Sequence, residues 1–456
     1  MIKRTNKKHI NMENKENIVV GIDVGTTKIA VFIGQRDLEG KISIIGMGKT
    51  ESDGVERGVV KNIQLTATAI KAAVEQAETM ANYKVNDVYV GIAGHHIKSL
   101  HHRGNIMICE DNHIITMQDV ERLRQEQNNL MLSPGEQIIH VVAQSYSVDG
   151  DTSTTNPVGR IGKCLEGDFN LITGNVTHIQ NIYHSVRLAG YSVKELVLEP
   201  IASAEAVINE TEKDAGICLV DIGGGTTDIA IFKDGILRHT AVVPLAGNVI
   251  TEDIKEGCSI IKTQAEALKI NFGRCLESDN SQNEIISIPG FRGRESREIS
   301  VQTLANIIKA RVKMILDQVQ YEIHSTDYDK RLIAGIVLTG GGAKIKDIVQ
   351  LTEFITGLDA RIGISNEQLS GTITDEMKHP MHATGIGLVL KGFESIDKEN
   401  LLNGKIDRTD EPIAEKDVVE EETNETDEVS EVEKNKTSFL DSIVNFFRSI
   451  TSEKND

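Results

Sequence analysis

Tryptophan is absent from this chain and aromatic residues make up only 4% of it, a scarcity that bears on no function class. Long apolar runs are missing too. No stretch approaches the roughly 18 uninterrupted apolar residues that a bilayer-crossing helix needs, so no membrane-spanning helix is expected. Residues 1–17 are polar and Lys-rich without an apolar core, which excludes a signal peptide. They read as a disordered arm, with Met12 an alternative start. The five cysteines, Cys109, Cys164, Cys218, Cys258 and Cys275, are scattered and form no Cys-x-x-Cys pair. Neither a disulfide framework nor a cysteine metal site is expected, and a reducing cytoplasm is the default. Basic charge is in deficit: 49 Lys and Arg against 68 Asp and Glu give a net charge of −19, which excludes general nucleic-acid binding. Much of that acid sits near the C-terminus, so the folded part is less extreme than the total.

What is present is an α/β composition. The chain has 456 residues, 39% of them hydrophobic and many β-branched, so two or more domains are expected. The most informative stretch is Asp221-Ile222-Gly223-Gly224-Gly225-Thr226-Thr227-Asp228, between the apolar runs 216–220 and 229–232. Each run reads as a strand and the glycines as the turn joining them. Three glycines leave no side chain between backbone N–H groups and an anion, a nest suited to a polyphosphate. The Thr226 and Thr227 hydroxyls add donors, while Asp221 and Asp228 can hold Mg²⁺ through water. A bare glycine turn would be only a turn; Asp on both sides with two threonines inside is more.

A second copy lies at 18–33, where Asp23-Val24-Gly25-Thr26-Thr27-Lys28 again joins two apolar runs. Two phosphate hairpins nearly two hundred residues apart imply two related halves gripping one nucleotide. Here the sequence resembles the superfamily of actins, sugar kinases and heat-shock chaperone ATPases, and within it the FtsA family of bacterial cell-division proteins. The resemblance runs in order over roughly residues 18 to 395. It implies an α/β, actin-like fold of two lobes, each on a mixed five-stranded sheet, with ATP and Mg²⁺ in the cleft. Asp23, Asp221 and Asp228 would meet the metal through water.

Further motifs fit that order. Gly48-Lys49-Thr50 mimics the end of a Walker A loop, but Ser43 stands where its first glycine belongs, so it reads as a strand end. Gly54-x-x-x-Gly58 precedes a helical stripe at Ile63, Ala67, Ile70 and Val74. The doublets His95-His96 and His101-His102 invite a metal, but no carboxylate pairs with them at helical spacing. Residues 90–97 resemble the opening of the FtsA-specific inserted subdomain, which in the family serves self-association and contacts with later division proteins. Thr116 and Asp119 have capping-box spacing. Glu199, before Pro200 and a run of small residues, reads by itself as a helix cap. By resemblance it begins the hinge helix and orients the attacking water. Glu266 and Lys269, three apart, read locally as a surface ion pair. The family places such a pair against the nucleoside, with Gly340, Gly341, Gly342 and Ala343 delivered by a strand to the mouth of the next helix. Arg311 lies off the apolar stripe of a helix over 301–324. A basic residue of that helix in the family holds the acidic C-terminal peptide of FtsZ, although Met314 replaces the family's acidic partner one turn on.

The C-terminal region is read from physics. Residues 397–433 are acidic and polar, which predicts a disordered linker. Within 434–456, Phe439, Leu440, Ile443, Val444, Phe446, Phe447 and Ile450 share one helical face and polar residues the other. Such a helix suits the headgroup boundary of an anionic membrane, with docking on the protein's own core as the alternative.

The expected organisation is an arm (1–17), the first lobe (18–93) and the inserted subdomain (94–178). The hinge and second-lobe core follow (179–246), then a small subdomain for the FtsZ tail (247–330) and the second-lobe return with a second hinge helix (331–396). The linker (397–433) and amphipathic helix (434–456) end the chain. The implied protein is an ATP-binding scaffold of cell division that polymerises, tethers FtsZ to the inner face of the cytoplasmic membrane at the septum and recruits later division proteins. Slow hydrolysis is left open. The alternatives are an actin-fold ATPase of type IV pilus biogenesis and a small-molecule kinase, the latter lacking any substrate-pocket Asp motif here.

Overall fold

β-Branched runs on either side of the glycine turns form strands, and the turns bring them into two sheets of one design. A computed structural model describes residues 17–109, 112–276, 284–289, 296–365, 369–370, 374 and 376–402. The chain divides into two units, residues 1–406 and 407–456, and the described residues all belong to the first. Residues 1–16 of the expected arm over 1–17, the linker beyond 402 and the amphipathic helix lie outside the described residues.

The first lobe begins with β1 (Ile18–Val24), β2 (Lys28–Arg36), β3 (Ile42–Glu51) and the short pair β4 (Val55–Glu56) and β5 (Val59–Val60). Helix α1 (Ile63–Ala81) and β6 (Asp87–Ile92) follow. The insertion contributes β7 (Lys98–Met107), α2 (Met117–Glu126), β8 (Glu136–Val148) and β9 (Cys164–Asn175), after which α3 (Val176–Ala189) and β10 (Ser192–Leu198) return to the first lobe. The second lobe has α4 (Glu199–Val207), α5 (Glu210–Ala215), β11 (Ile217–Ile222), β12 (Thr227–Lys233) and β13 (Ile236–Val243). Then come α6 (Gly247–Cys258), α7 (Lys262–Phe272), β14 (Ile285–Ile288), β15 (Arg297–Ser300) and α8 (Val301–His324). The chain closes with β16 (Ile336–Thr339), α9 (Ile348–Thr356), β17 (Ala360–Ile362) and α10 (Ala383–Leu402).

The two large sheets run β10-β6-β1-β2-β3 and β13-β12-β11-β16-β17. In each, three consecutive strands form an antiparallel meander and two later strands add in parallel beyond the first. The parallel additions are reached through helices, the crossover that parallel strands require. The common plan explains why Asp-Gly hairpins recur at the same place in both halves.

Local chemistry sets the helix ends. Asn62 caps α1 by accepting from Leu65 N–H, and Asn82 ends it in the left-handed region. Thr116 and Asp119 close the predicted capping box of α2, which packs on the three-stranded sheet β7-β9-β8 of the insertion. Leu123, Leu165, Phe169 and Leu171 are its core. Helix α8 buries Leu304, Ile308, Val312, Ile315, Leu316 and Val319 of the stripe the sequence predicts, while Ile307 is only half-buried.

Between the lobes, α4 and α10 cross with almost nothing between them. A Cβ on Gly387 would lie 1.7 Å from the Ala202 carbonyl oxygen, so only glycine permits the crossing. Around them Phe32 of the first sheet and Phe232 of the second join one apolar cluster with Ala202 and Ile386. Helix α10 also corrects the expected linker boundary, because residues 397–402 are helical. Asp397 accepts two hydrogen bonds from Arg36, each 2.7 Å, and Lys398 lies 3.7 Å from Glu121. These tertiary pairs hold a last turn whose composition alone reads as coil.

Candidate functional site

The two hairpin tips meet. A Cβ on Gly224 would lie 2.4 Å from Thr27 Cγ2, and one on Gly225 would lie 2.5 Å from Thr26 Oγ1. The glycines therefore admit the opposite hairpin. The Gly223 N–H donates to the Thr226 carbonyl at 2.9 Å, closing the second turn. The first residues of α6 dock beneath it, with Gly247 and Asn248 N–H groups donating to the Gly223 and Gly224 carbonyls at 3.0 and 2.8 Å. On the other side Thr26 Oγ1 accepts the Gly58 N–H at 3.0 Å, tying the Gly54–Gly58 loop to the first hairpin.

Between the tips is a cavity of about 330 Å³. Of the residues singled out in the sequence, Asp23, Gly25, Thr26, Thr27, Lys28, Glu199, Asp221, Gly223, Gly224, Gly225, Thr226 and Asp228 line it. Glu266, Lys269, Gly340, Gly341 and Gly342 line its other end. Two expectations fail. Thr227 is fully buried and its hydroxyl donates to the Leu245 carbonyl at 2.7 Å, because strand side chains alternate and Thr226 and Asp228 take the cleft face. Ala343 is likewise buried below the turn.

Four acidic side chains converge. Asp221 Oδ2 accepts from Ser203 Oγ at 2.8 Å and from Thr384 Oγ1 at 3.3 Å, so both hinge helices hold it. Asp228 Oδ2 accepts from Thr226 Oγ1 at 3.1 Å, while its Oδ1 is buried without a partner. Burial pushes Asp228 up to about 8, with the Asp221 charge adding to the effect. Burial likewise raises Asp23 to about 6 against the pull of Lys28, and raises Asp221 and Glu199. The one cation among them, Lys28, has its Nζ 3.9 Å from Asp23 Oδ2 and 3.3 Å from His382 Nδ1, and it donates to the Met381 carbonyl. Burial lowers its pKa although Asp23 opposes the shift.

Crowded, desolvated carboxylates with an orphan oxygen are the chemistry of a dication site, since a cation would relieve their mutual repulsion. Among the described residues no three His, Cys, Asp or Glu side chains are close enough to ligate one ion directly. Mg²⁺ suits that spacing, because it keeps several waters and takes its remaining ligands from phosphate. Asp23, Asp221 and Asp228 would hold it through those waters.

At the far end Lys269 Nζ lies 2.8 Å from Glu266 Oε2 and donates to Gly247 O and Thr251 Oγ1 at 3.0 and 2.8 Å. Gly340 has φ +82°, and a Cβ there would lie 2.4 Å from Asp221 Oδ1, whereas Gly341 faces open space. These glycines enter a 3-10 turn over Gly341–Lys344, several residues short of α9, which corrects the expected helix mouth. Sequence reasoning missed Asn248, Ile270, Lys344, His379, Met381 and Thr384, which also line the cavity. Arg311 stands apart from the cavity and is not a free cation. Its Nε and an Nη clamp Asp253 of α6 at 2.5 and 2.9 Å.

Comparison with known proteins bears on this arrangement. The family model described as cell division protein FtsA matches residues 218–387, and that of the SHS2 domain inserted in FtsA matches residues 94–173. The cell division protein FtsA of Pseudomonas aeruginosa is 36% identical over 399 residues, spanning 87% of this chain and 95% of that protein. That of Escherichia coli K12 is 34% identical over 412 residues, spanning 89% and 94%. Among solved structures, the PilM–PilN type IV pilus biogenesis complex superposes with a TM-score of 0.59 at 14% identity, covering 82% of this chain and 98% of that one. MreB5 of Spiroplasma citri bound to ADP gives 0.52 at 16%, covering 85% and 99%. At those identities the structures speak to the actin-like fold alone. The sequence relatives decide between the pilus and division readings, and the chain belongs to the FtsA family of cell-division proteins.

Proposed function

We propose that this cell-division protein binds Mg²⁺ and ATP between its hairpins and uses them to set its assembly on the membrane. The observation carrying the reading is the meeting of two glycine-tipped hairpins around buried, mutually repelling carboxylates, one with an orphan oxygen. Backbone N–H groups of 224–226 and 25–28 cradle the phosphates, and Lys28 offers its ammonium to them. Asp23, Asp221 and Asp228 orient the waters of the metal, which when bound neutralises phosphate charge. Glu266, Lys269 and the turn at 340–342 hold the nucleoside. Glu199, whose carboxyl desolvation raises well above its ordinary value, would orient a water at the terminal phosphate, and any turnover would be secondary to scaffolding. Calorimetry tests this: the wild type should bind ATP only tightly with Mg²⁺, and an Asp221→Asn, Asp228→Asn double variant should lose the Mg²⁺ dependence. Equal binding with and without Mg²⁺ in the wild type sinks the metal assignment.

The same reading extends to assembly. The lobes polymerise, residues 247–330 receive the acidic FtsZ tail and later division proteins dock on the insertion. The segment 434–456 anchors the filament to the inner face of the cytoplasmic membrane at the septum. Because Arg311 already pairs with Asp253, the tail would meet only the outer edge of that guanidinium. Arg311→Ala should weaken binding of the FtsZ C-terminal peptide and leave ATP affinity intact. For the anchor, full-length protein should float with anionic liposomes while Phe446→Glu should not; equal flotation removes the anchor reading.

A further inference from the structure

The inserted subdomain grips both sides of the hinge. Gln144 of β8 donates to the Leu237 carbonyl of β13 at 2.9 Å, and Arg238 donates to the Gln144 carbonyl at 3.0 Å. Glu121 of α2 reaches Lys398 of α10 at 3.7 Å. The third tie is the most pointed. His140 of β8 accepts the backbone N–H of Leu198 on its Nε2 at 2.9 Å.

Leu198 is the N-cap of α4, and α4 has no side-chain cap of its own. An orphan N–H at a helix start needs an acceptor, and here one arrives from a different subdomain. An accepting Nε2 places the ring proton on Nδ1 and makes the imidazole neutral. Its surroundings agree: burial, with Lys391 and Arg124 nearby, pushes His140 down to about 4. The next residue after Leu198 is Glu199, whose side chain runs over Gly91 of β6, where a Cβ would lie 3.0 Å from Glu199 Cγ. With β6 as a floor, the direction of that carboxylate depends on where α4 begins.

We propose that His140 is a positioning residue for Glu199, fixing the first turn of α4 so that the inserted subdomain sets the carboxylate facing the terminal phosphate. The proposal rests on the nucleotide reading above. Its consequence is reciprocal: a partner that shifts β8 changes the preference for ATP over ADP, and the terminal phosphate changes affinity for that partner by the same factor.

The test uses full-length protein with His140→Leu, which removes the acceptor, and His140→Gln, whose amide oxygen reaches the same place. Calorimetry with Mg²⁺·ADP and a non-hydrolysable Mg²⁺·ATP analogue reads the preference, and hydrogen exchange reads the Leu198 amide. The Leu variant should keep ADP affinity within about twofold, lose about fivefold in preference for the ATP analogue and exchange Leu198 faster; Gln should restore both. Unchanged preference in the Leu variant, or equal loss for both nucleotides, overturns the proposal. If the Leu variant does not fold, Gly91→Ala carries the test, since it presses on Glu199 from β6 and should lower the same preference. A wild type that binds neither nucleotide overturns the cleft reading itself, whereas faster Leu198 exchange would still report the His140 contact.

Discussion

The two hairpins share one geometry and divide the chemistry between them. In the first, Val24 pairs with Ile29 and Asp23 with Ala30; in the second, Ile222 pairs with Thr227 and Asp221 with Asp228. Each loop therefore has four residues, 25–28 and 223–226, and the positions correspond one to one. Lys28 stands where Thr226 stands, and Ala30 where Asp228 stands. The first hairpin thus presents a cation and a single acid, the second two acids and no cation. The second hairpin holds acids alone, so the positive charge acting on Asp221 comes from Lys28 of the first.

The comparison can be broken at the tips. Gly224→Val places atoms on Thr27 and should keep the hairpins apart, costing about 2–3 kcal/mol, or on the order of a hundredfold in ATP affinity, in a folded protein. Unchanged ATP binding by calorimetry would show that the tips do not form the site. Lys28→Met removes the first lobe's cation. It should weaken ATP by roughly ten- to thirtyfold while leaving adenosine unaffected, since only the phosphates feel that charge.

Asp228→Asn sharpens the other half. The folded protein holds Asp228 near 8 against an ordinary value of 3.8, so the folded state binds more protons across that interval. Stability without ligand should then fall as pH rises from about 4 to about 8, with Asp23 contributing up to about 6. Between pH 6 and 8 the asparagine variant should lose the Asp228 share of this slope, on the order of 1–2 kcal/mol in melts of the ligand-free protein, while the raised Glu199 and Asp221 keep theirs. A wild-type curve that climbs with pH in that window contradicts the buried-acid picture. The smallest effect is expected from Thr26→Val, which removes the acceptor for the Gly58 N–H and should cost about 1 kcal/mol in ATP binding.

Much of this site is legible because its signals are local. Glycine, threonine and aspartate at the ends of β-branched runs declare a turn and an anion nest without tertiary help, and the Thr116–Asp119 capping box is complete within four residues. What the sequence hides depends on alternation and assembly. Thr227 looks like Thr226 in one dimension, yet strand pleating turns it into the core. Ser203 and Thr384 reach Asp221 from separate helices, 18 and 163 positions away, and no spacing rule joins them. Arg311 reads as a free charge until α6 brings Asp253 against it. The helical turn at 397–402 is held by Arg36 and Glu121, both more than 250 residues away.

The bare crossing of α4 and α10 at Ala202 and Gly387 is a mechanical bearing. With backbone against backbone at that point, and the small Ser203 and Thr384 side chains hydrogen-bonded beside it at 2.9 Å, the helices can rotate about the contact without a large ridge having to climb out of a groove. Sliding along the contact, by contrast, would drive neighbouring side chains into the opposing helix. The joint therefore favours one degree of freedom, a swing, and acts as the fulcrum of a lever. A small rotation there would be magnified in proportion to distance, so a change at the hairpins would become displacement at the outer surfaces.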